Sequence, residues 1–168
     1  SREYGTPISS SAVRISCSIW MPSGAIITSR VPGIIARILA SDLARAGVAE
    51  ELVAAKPDVI FHLAGVVSGE AEANFELGYR VNLDGTRALF DAIRASGQGP
   101  RVVFTSSIAV FGAPFPDVIP DEFHPTPLSS YGTQKLIGEA LLADYTRRGF
   151  FDGIGIRLPT ICVRPGKP

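Results

Sequence analysis

Cysteine is scarce in this chain: Cys17 and Cys162 are the only two in 168 residues. They stand far apart and form no metal-spaced cluster. Two reduced thiols are therefore expected in place of a disulfide or a zinc site, and no metal ligand is assigned. An excess of charge is missing too. Sixteen basic and sixteen acidic residues cancel to a net charge of zero, with no basic patch or stripe, which argues against nucleic acid as a partner. No uninterrupted apolar run is long enough to cross a bilayer. The first residues also lack the basic-then-apolar order of a signal peptide. Repeats and low-complexity tracts are absent. The expectation is a soluble, cytoplasmic protein with no membrane contact.

What is present is apolar mass. Hydrophobic residues make up 46% of the chain and the mean hydropathy is +0.24, enough for a substantial core in one domain or most of one. From residue 58 onward, strand and helix signals alternate. Asp58-Val-Ile-Phe-His-Leu63 is a short apolar run behind Pro57 and ahead of Ala64-Gly65, the pattern of a buried strand ending in a turn. A helix is predicted over about 72–96, with Leu77, Val81, Gly85, Ala88, Leu89, Ala92 and Ile93 on one face and Gly97 and Gly99-Pro100 as its stop. Strands are predicted over 101–105 and 153–158. Between them lie a loop over 113–127 with five prolines and a helix over 130–148, capped by Ser129 or Ser130. Upstream, 47–56 reads as helix and 34–39 as strand. The first thirty residues are serine-rich and show no clear periodicity.

Strands alternating with long helices imply right-handed crossovers and a parallel sheet covered by helices on both faces. Ligands of such sheets bind beyond the carboxyl ends of the strands. Gly65, Ser106, Ser107 and Pro159 all fall just after strands and are expected at that edge.

Tyr131 and Lys135, four residues apart, share one helical face. A phenol, with a pKa of about 10, is a poor base at neutral pH. A neighbouring ammonium favours the phenolate, and a serine hydroxyl on a nearby strand end can hold a substrate oxygen. By itself the pair is a weak signal whose usual reading is two unrelated residues on a solvated helix.

The order of motifs resembles a known family. His62-Leu-Ala-Gly65, Asn82-Leu-Asp-Gly-Thr86, Thr105-Ser-Ser107 with Val110-Phe-Gly112, Tyr131-x-x-x-Lys135 and Arg157-Leu-Pro159 stand as they do in extended short-chain dehydrogenases/reductases, which include nucleotide-sugar epimerases and dehydratases. Val66-Val-Ser-Gly-Glu-Ala-Glu72, Gly78-Tyr-Arg-Val-Asn82, Ser129-Ser-Tyr-Gly-Thr-Gln-Lys135 and the segment from Pro159 to Pro168 are similar to the D-erythronate dehydrogenase branch. The resemblance implies an α/β, Rossmann-like, doubly wound parallel sheet, incomplete at both ends. Residues 31–168 would form a partial NAD(P)-binding domain behind a segment, 1–30, of unsettled structure. It also implies an NAD-dependent enzyme that oxidises the C2 hydroxyl of a small sugar acid, and it allows a homodimer. An NAD-retaining epimerase or dehydratase, or a truncated fragment without activity, stays open beside it.

By that resemblance Tyr131 is the base, Lys135 tunes it and binds the nicotinamide ribose, and Ser107 holds the substrate oxygen. Asp42, Leu43, Leu63, Ala64, Gly65, Asn82, Ser106 and Pro159 line the cofactor site, together with Tyr131 and Lys135. Ser68 and Arg164 meet the substrate, an arginine suiting a carboxylate by bidentate pairing. Plainer roles compete: a helix cap for Asp42, a buried structural hydrogen bond for Asn82, helix initiation for Ser68 with Glu70 and Glu72, a structural ion pair for Arg164 or Arg80. His62 reads as a satisfied core histidine. One family feature is missing. Gly5, Gly24, Gly33 and Gly47 do not make the Gly-x-x-Gly-x-x-Gly turn that holds the cofactor pyrophosphate.

Overall fold

The apolar runs over 58–63, 101–105 and 153–158 become the strands β4 (Val59–His62), β5 (Arg101–Ser107) and β6 (Asp152–Leu158). The computed structural model describes residues 13–19, 25–31 and 34–159, with side chains over 41–159. Three further strands, β1 (Val13–Ile19), β2 (Ala25–Val31) and β3 (Ile34–Ala40), complete one sheet in the order β2-β3-β1-β4-β5-β6. Five strands run parallel, and β2 pairs antiparallel with β3 at the edge. β1 and all but the last residue of β2 lie in the first thirty residues, where sequence periodicity gave no sign of them. The chain lays β3 on one side of β1 and then crosses to β4 on the other. That reversal is the switch point of a doubly wound sheet.

Period-two alternation assigns the faces. Ile60 and His62 on β4, and Val102, Phe104 and Ser106 on β5, are buried, while the residues between them are half-buried or exposed. Against the buried face pack α1 (Val48–Ala54), α4 (Gly85–Ser96) and α5 (Ser130–Arg147). They form one core with Leu52, Leu89, Phe90, Ile93, Leu142 and Phe151. Each fully buried side chain of this size contributes about 1.5–3 kcal/mol. Among the described residues the helices cover this face alone. The β1-to-β3 connection, which would place a helix on the other face, runs through β2 instead.

The single helix expected over 72–96 is broken. It comprises α2 (Ser68–Ala73), α3 (Phe75–Gly78), a π-helical turn (Tyr79–Asp84) and α4. Asn74 causes the first break: its backbone leaves the helical region at φ −134°, ψ 88°, and its side chain accepts from the Leu77 amide as the cap of α3. The π turn faces Asn82 inward, 1% exposed. Helix α5 runs almost as predicted, with Ser129 as its cap. The proline-rich stretch 113–127 carries neither helix nor strand.

Candidate active site at the carboxyl edge of the sheet

Strand β5 outruns β4 by three residues, so that Ser106 and Ser107 pair with Arg157 and Leu158 of β6 beyond the end of β4. Ser107 leaves the sheet through a 3₁₀ turn (Ile108–Val110), and its Oγ accepts from the Ala109 amide at 3.1 Å. Above that turn begins α5. A Cβ on Gly132 would stand 2.1 Å from the Ala109 carbonyl oxygen, so glycine is what lets the helix start this close to the serine. Tyr131 and Lys135 lie on the inner face of α5. With Ser107 they line a cavity of ≈ 670 Å³, walled also by Leu63, Gly65, Ser68, Ser106 and Pro159.

The Ser107 hydroxyl and the Tyr131 phenol line this cavity together, and the serine hydroxyl favours the phenolate. Burial pushes the Tyr131 pKa up, the Ser107 hydrogen bond pulls it down, and the net position is above the ordinary value of 10.0. Lys135 Nζ sits 5.7 Å from the Tyr131 ring centroid and 5.1 Å from that of Phe104, and donates to the Thr105 carbonyl at 2.9 Å. Burial lowers its pKa from 10.5 to about 8. The phenolate-favouring contact in this geometry is therefore the hydroxyl of Ser107, where the four-residue spacing had pointed to the ammonium.

Other assignments fall outside the cavity. Leu43 is a core residue, 3% exposed, and Ala64 joins the same cluster. Asp42 accepts from the Ala44 amide at 3.0 Å and pairs with Arg80. Asn82 spends its amide within the protein: Oδ1 accepts from Val66 N at 2.8 Å, and Nδ2 donates to Val66 O at 3.2 Å and to Gln134 Oε1 at 2.8 Å. It thus acts as a strand partner for the loop after β4, pinning the cavity wall to α5. Arg164 and Cys162 lie outside the described residues, as does the side chain of Cys17.

Three groups that the sequence reading passed over brace the site. Gln134 meets Asn82. Glu139 accepts from Arg157 at 2.9 and 2.8 Å and from Ser106 at 2.5 Å, tying α5 to β6 and to the cavity floor. Burial would raise the Glu139 pKa, but the hydrogen bonds from Arg157 and Ser106 and the guanidinium charge hold it below the usual value. Thr86 donates to the Asn82 carbonyl at 2.7 Å, which commits its proton, so it accepts from His62 Nε2 at 2.8 Å. His62 is consequently the neutral Nε2–H tautomer. Burial, and secondarily the charge of Lys135, takes its pKa to about 3. Glu139 stands four residues after Lys135, a spacing that could have drawn attention to it. Gln134 and Thr86 stand within the motifs of the resemblance, but nothing in the sequence assigns either a partner.

The residues present fit one end of a dinucleotide. Gly65 lies close to Lys135, where a Cβ would come 3.5 Å from Nζ and 3.0 Å from Asn82 Oδ1, leaving open backbone beside the cavity. Lys135, Ser106 and Pro159 offer a polar, part-enclosed bed for a ribose and a flat ring. The pyrophosphate end is different. No described helix stands between β1 and β2, so the described residues include no amide cradle after β1.

A parallel sheet with a switch point, and a Ser-Tyr-Lys cavity at its carboxyl edge, define a nucleotide-linked oxidoreductase or epimerase fold. The profile of the NAD dependent epimerase/dehydratase family matches residues 20–164, and the chain belongs to that family. D-erythronate dehydrogenase from Cupriavidus necator is 54% identical over 132 residues, 79% of this chain and 41% of that protein. The enzyme of the same name from Haemophilus influenzae is 49% identical over 119 residues, 71% of this chain and 38% of its own length. This chain thus spans less than half of either relative. Among solved structures, a nucleoside-diphosphate-sugar epimerase from Agrobacterium tumefaciens superposes with a TM-score of 0.79 at 50% identity, covering 99% of this chain and 59% of that one. A Brucella ovis UDP-glucose 4-epimerase in complex with NAD, at 23% identity and a TM-score of 0.70 over 87% of this chain and 51% of its own, shares the fold.

Proposed function

We infer that this chain carries the catalytic centre of an NAD-linked dehydrogenase that oxidises the C2 hydroxyl of a small sugar acid such as D-erythronate to the 2-oxo acid. The observation that carries the reading is the meeting of the Ser107 and Tyr131 hydroxyls and the Lys135 ammonium in one cavity at the carboxyl edge. The naming of two relatives at 54% and 49% identity supports the choice of substrate. NAD, when bound, supplies the hydride acceptor; Leu63, Gly65, Ser106, Lys135 and Pro159 would hold its nicotinamide-ribose end. The substrate hydroxyl lies between Ser107 and Tyr131. Ser107 donates to the substrate oxygen and orients it, and Tyr131 Oη takes the hydroxyl proton as the C–H bond breaks. Ser68, on the cavity rim, meets a further hydroxyl of the acid, and Arg164 its carboxylate.

A phenol held above its ordinary pKa is a weak base until something favours its anion. The ammonium of Lys135, 5.7 Å from the Tyr131 ring centroid, would supply that charge and would hold the cofactor ribose. The test is formation of NADH, followed at 340 nm, with D-erythronate as substrate. Tyr131→Phe is expected to lower kcat by about 10²–10⁴-fold, the usual contribution of a positioned acid or base. Unchanged turnover in that variant sinks the proposed base. The name of the Agrobacterium structure motivates a second reading, an epimerase that retains NAD. Interconversion of a nucleotide sugar without net NADH would establish it in place of the dehydrogenase.

A further inference from the structure

Helix α5 starts with three backbone N–H groups that have no partner within the helix, those of Ser130, Tyr131 and Gly132. The Ser129 hydroxyl accepts from Gly132 at 3.0 Å. The other two amides are met from a distant part of the chain. Glu72 Oε1, on α2, accepts from Ser130 N at 2.5 Å and from Tyr131 N at 3.4 Å. A carboxylate is the favourable acceptor there, since the aligned peptide dipoles leave partial positive charge at a helix N-terminus. All three orphan donors are thereby satisfied, one by the local cap and two by a side chain 58 and 59 residues away in sequence.

The helix that carries Glu72 also carries Ser68, one turn earlier, on the cavity rim. Between them Ala71, fully buried, packs with Val66 and Val81 against the Tyr131 ring. The carboxylate and this apolar patch therefore join the rim helix to the residue bearing the phenol. Glu72 lies in the Ser-Gly-Glu-Ala-Glu segment, where a substrate contact would be the natural first assignment, yet its oxygen is committed to backbone.

We propose that Glu72 is a positioning residue: it holds the α5 start, and with it Tyr131, in register with the Ser68 rim. Its catalytic consequence rests on the dehydrogenase reading above. The test compares Glu72→Ala with Glu72→Gln in this chain. Hydrogen exchange at the Ser130 and Tyr131 amides, read without substrate, is expected to quicken by about tenfold or more in Glu72→Ala. It should stay near the parent rate in Glu72→Gln, whose amide oxygen still accepts. In turnover, Glu72→Ala is expected to lose about tenfold in kcat with KM for the acid within about twofold, and Glu72→Gln to recover most of that loss.

Unaltered exchange in Glu72→Ala overturns the proposal. So does a loss expressed in KM, or an equal loss in both variants, which would place Glu72 on the substrate. An unsubstituted chain without turnover counts against the function, not against this placement, because the exchange arm is decided independently.

Discussion

At Tyr131, burial and one hydrogen bond pull in opposite directions, and burial prevails. The same competition is more one-sided at His62, which is 1% exposed and neutral, with a pKa of about 3. The unfolded chain binds a proton at this side chain near pH 6.5, while the folded chain does so only near 3. Between those values the unfolded state holds more protons, so His62 makes stability fall as pH drops through that window and leaves it unaffected above. Carboxylates such as Glu139, also held below their usual value, act in the same direction. The contribution of His62 therefore has to be read as a difference. His62→Gln, which keeps a donor for Thr86, is expected to lose less stability than the parent protein between pH 6.5 and 3 in denaturant titrations. Parallel curves would refute the assignment of a buried neutral imidazole.

Among the elements, α5 has the tightest seating. It approaches the 3₁₀ turn at Gly132, where an added Cβ would meet the Ala109 carbonyl oxygen at 2.1 Å and Pro127 at 3.0 Å. Backbone cannot yield as a flexible side chain can. Gly132→Ala is expected to destabilise the fold by about 1–3 kcal/mol, as overpacking does, and to displace Tyr131 from Ser107. A midpoint unchanged in urea, with turnover retained, would show that α5 can retreat from the turn at no cost. This element was legible from its sequence, since cap, periodicity and the Tyr-x-x-x-Lys pair agree. The run over 72–96 was not. Its apolar period continues through Asn74 and the π turn, so periodicity alone could not register the breaks; the pairing of Asn82 with Val66 and Gln134 accompanies the π turn and lies beyond any local window.

For the molecule as a whole, the sheet order places a site at the edge where β4, β5 and β6 end, and the phosphate cradle expected after β1 has no counterpart among the described residues. Among the described residues, the groups placed to meet a cofactor are those at the nicotinamide-ribose end. A ligand that binds only the native state raises its stability by RT ln(1 + [L]/Kd). NAD and nicotinamide mononucleotide are both expected to raise the melting temperature, with both effects reduced in Lys135→Met. Shifts that stay unaltered in Lys135→Met would count against a cofactor seat beside that residue.

Composition and spacing determined the α/β class, the strands β4 to β6 and the helix α5, and the resemblance of the motifs singled out Ser107, Tyr131 and Lys135. These depend on local alternation, caps and stops, and on side chains whose chemistry is written in their type. Tertiary structure decided which of them act on one another. It brought Ser107, Tyr131 and Lys135 to one cavity, buried Leu43 and Ala64, paired Asp42 with Arg80 and Asn82 with Val66, and set Glu72 against the backbone of α5. It also made β2 an antiparallel edge strand in a stretch that sequence periodicity left unassigned. Such pairings join residues tens of positions apart. Burial and hydrogen-bond satisfaction select them only after the sheet has brought those residues together.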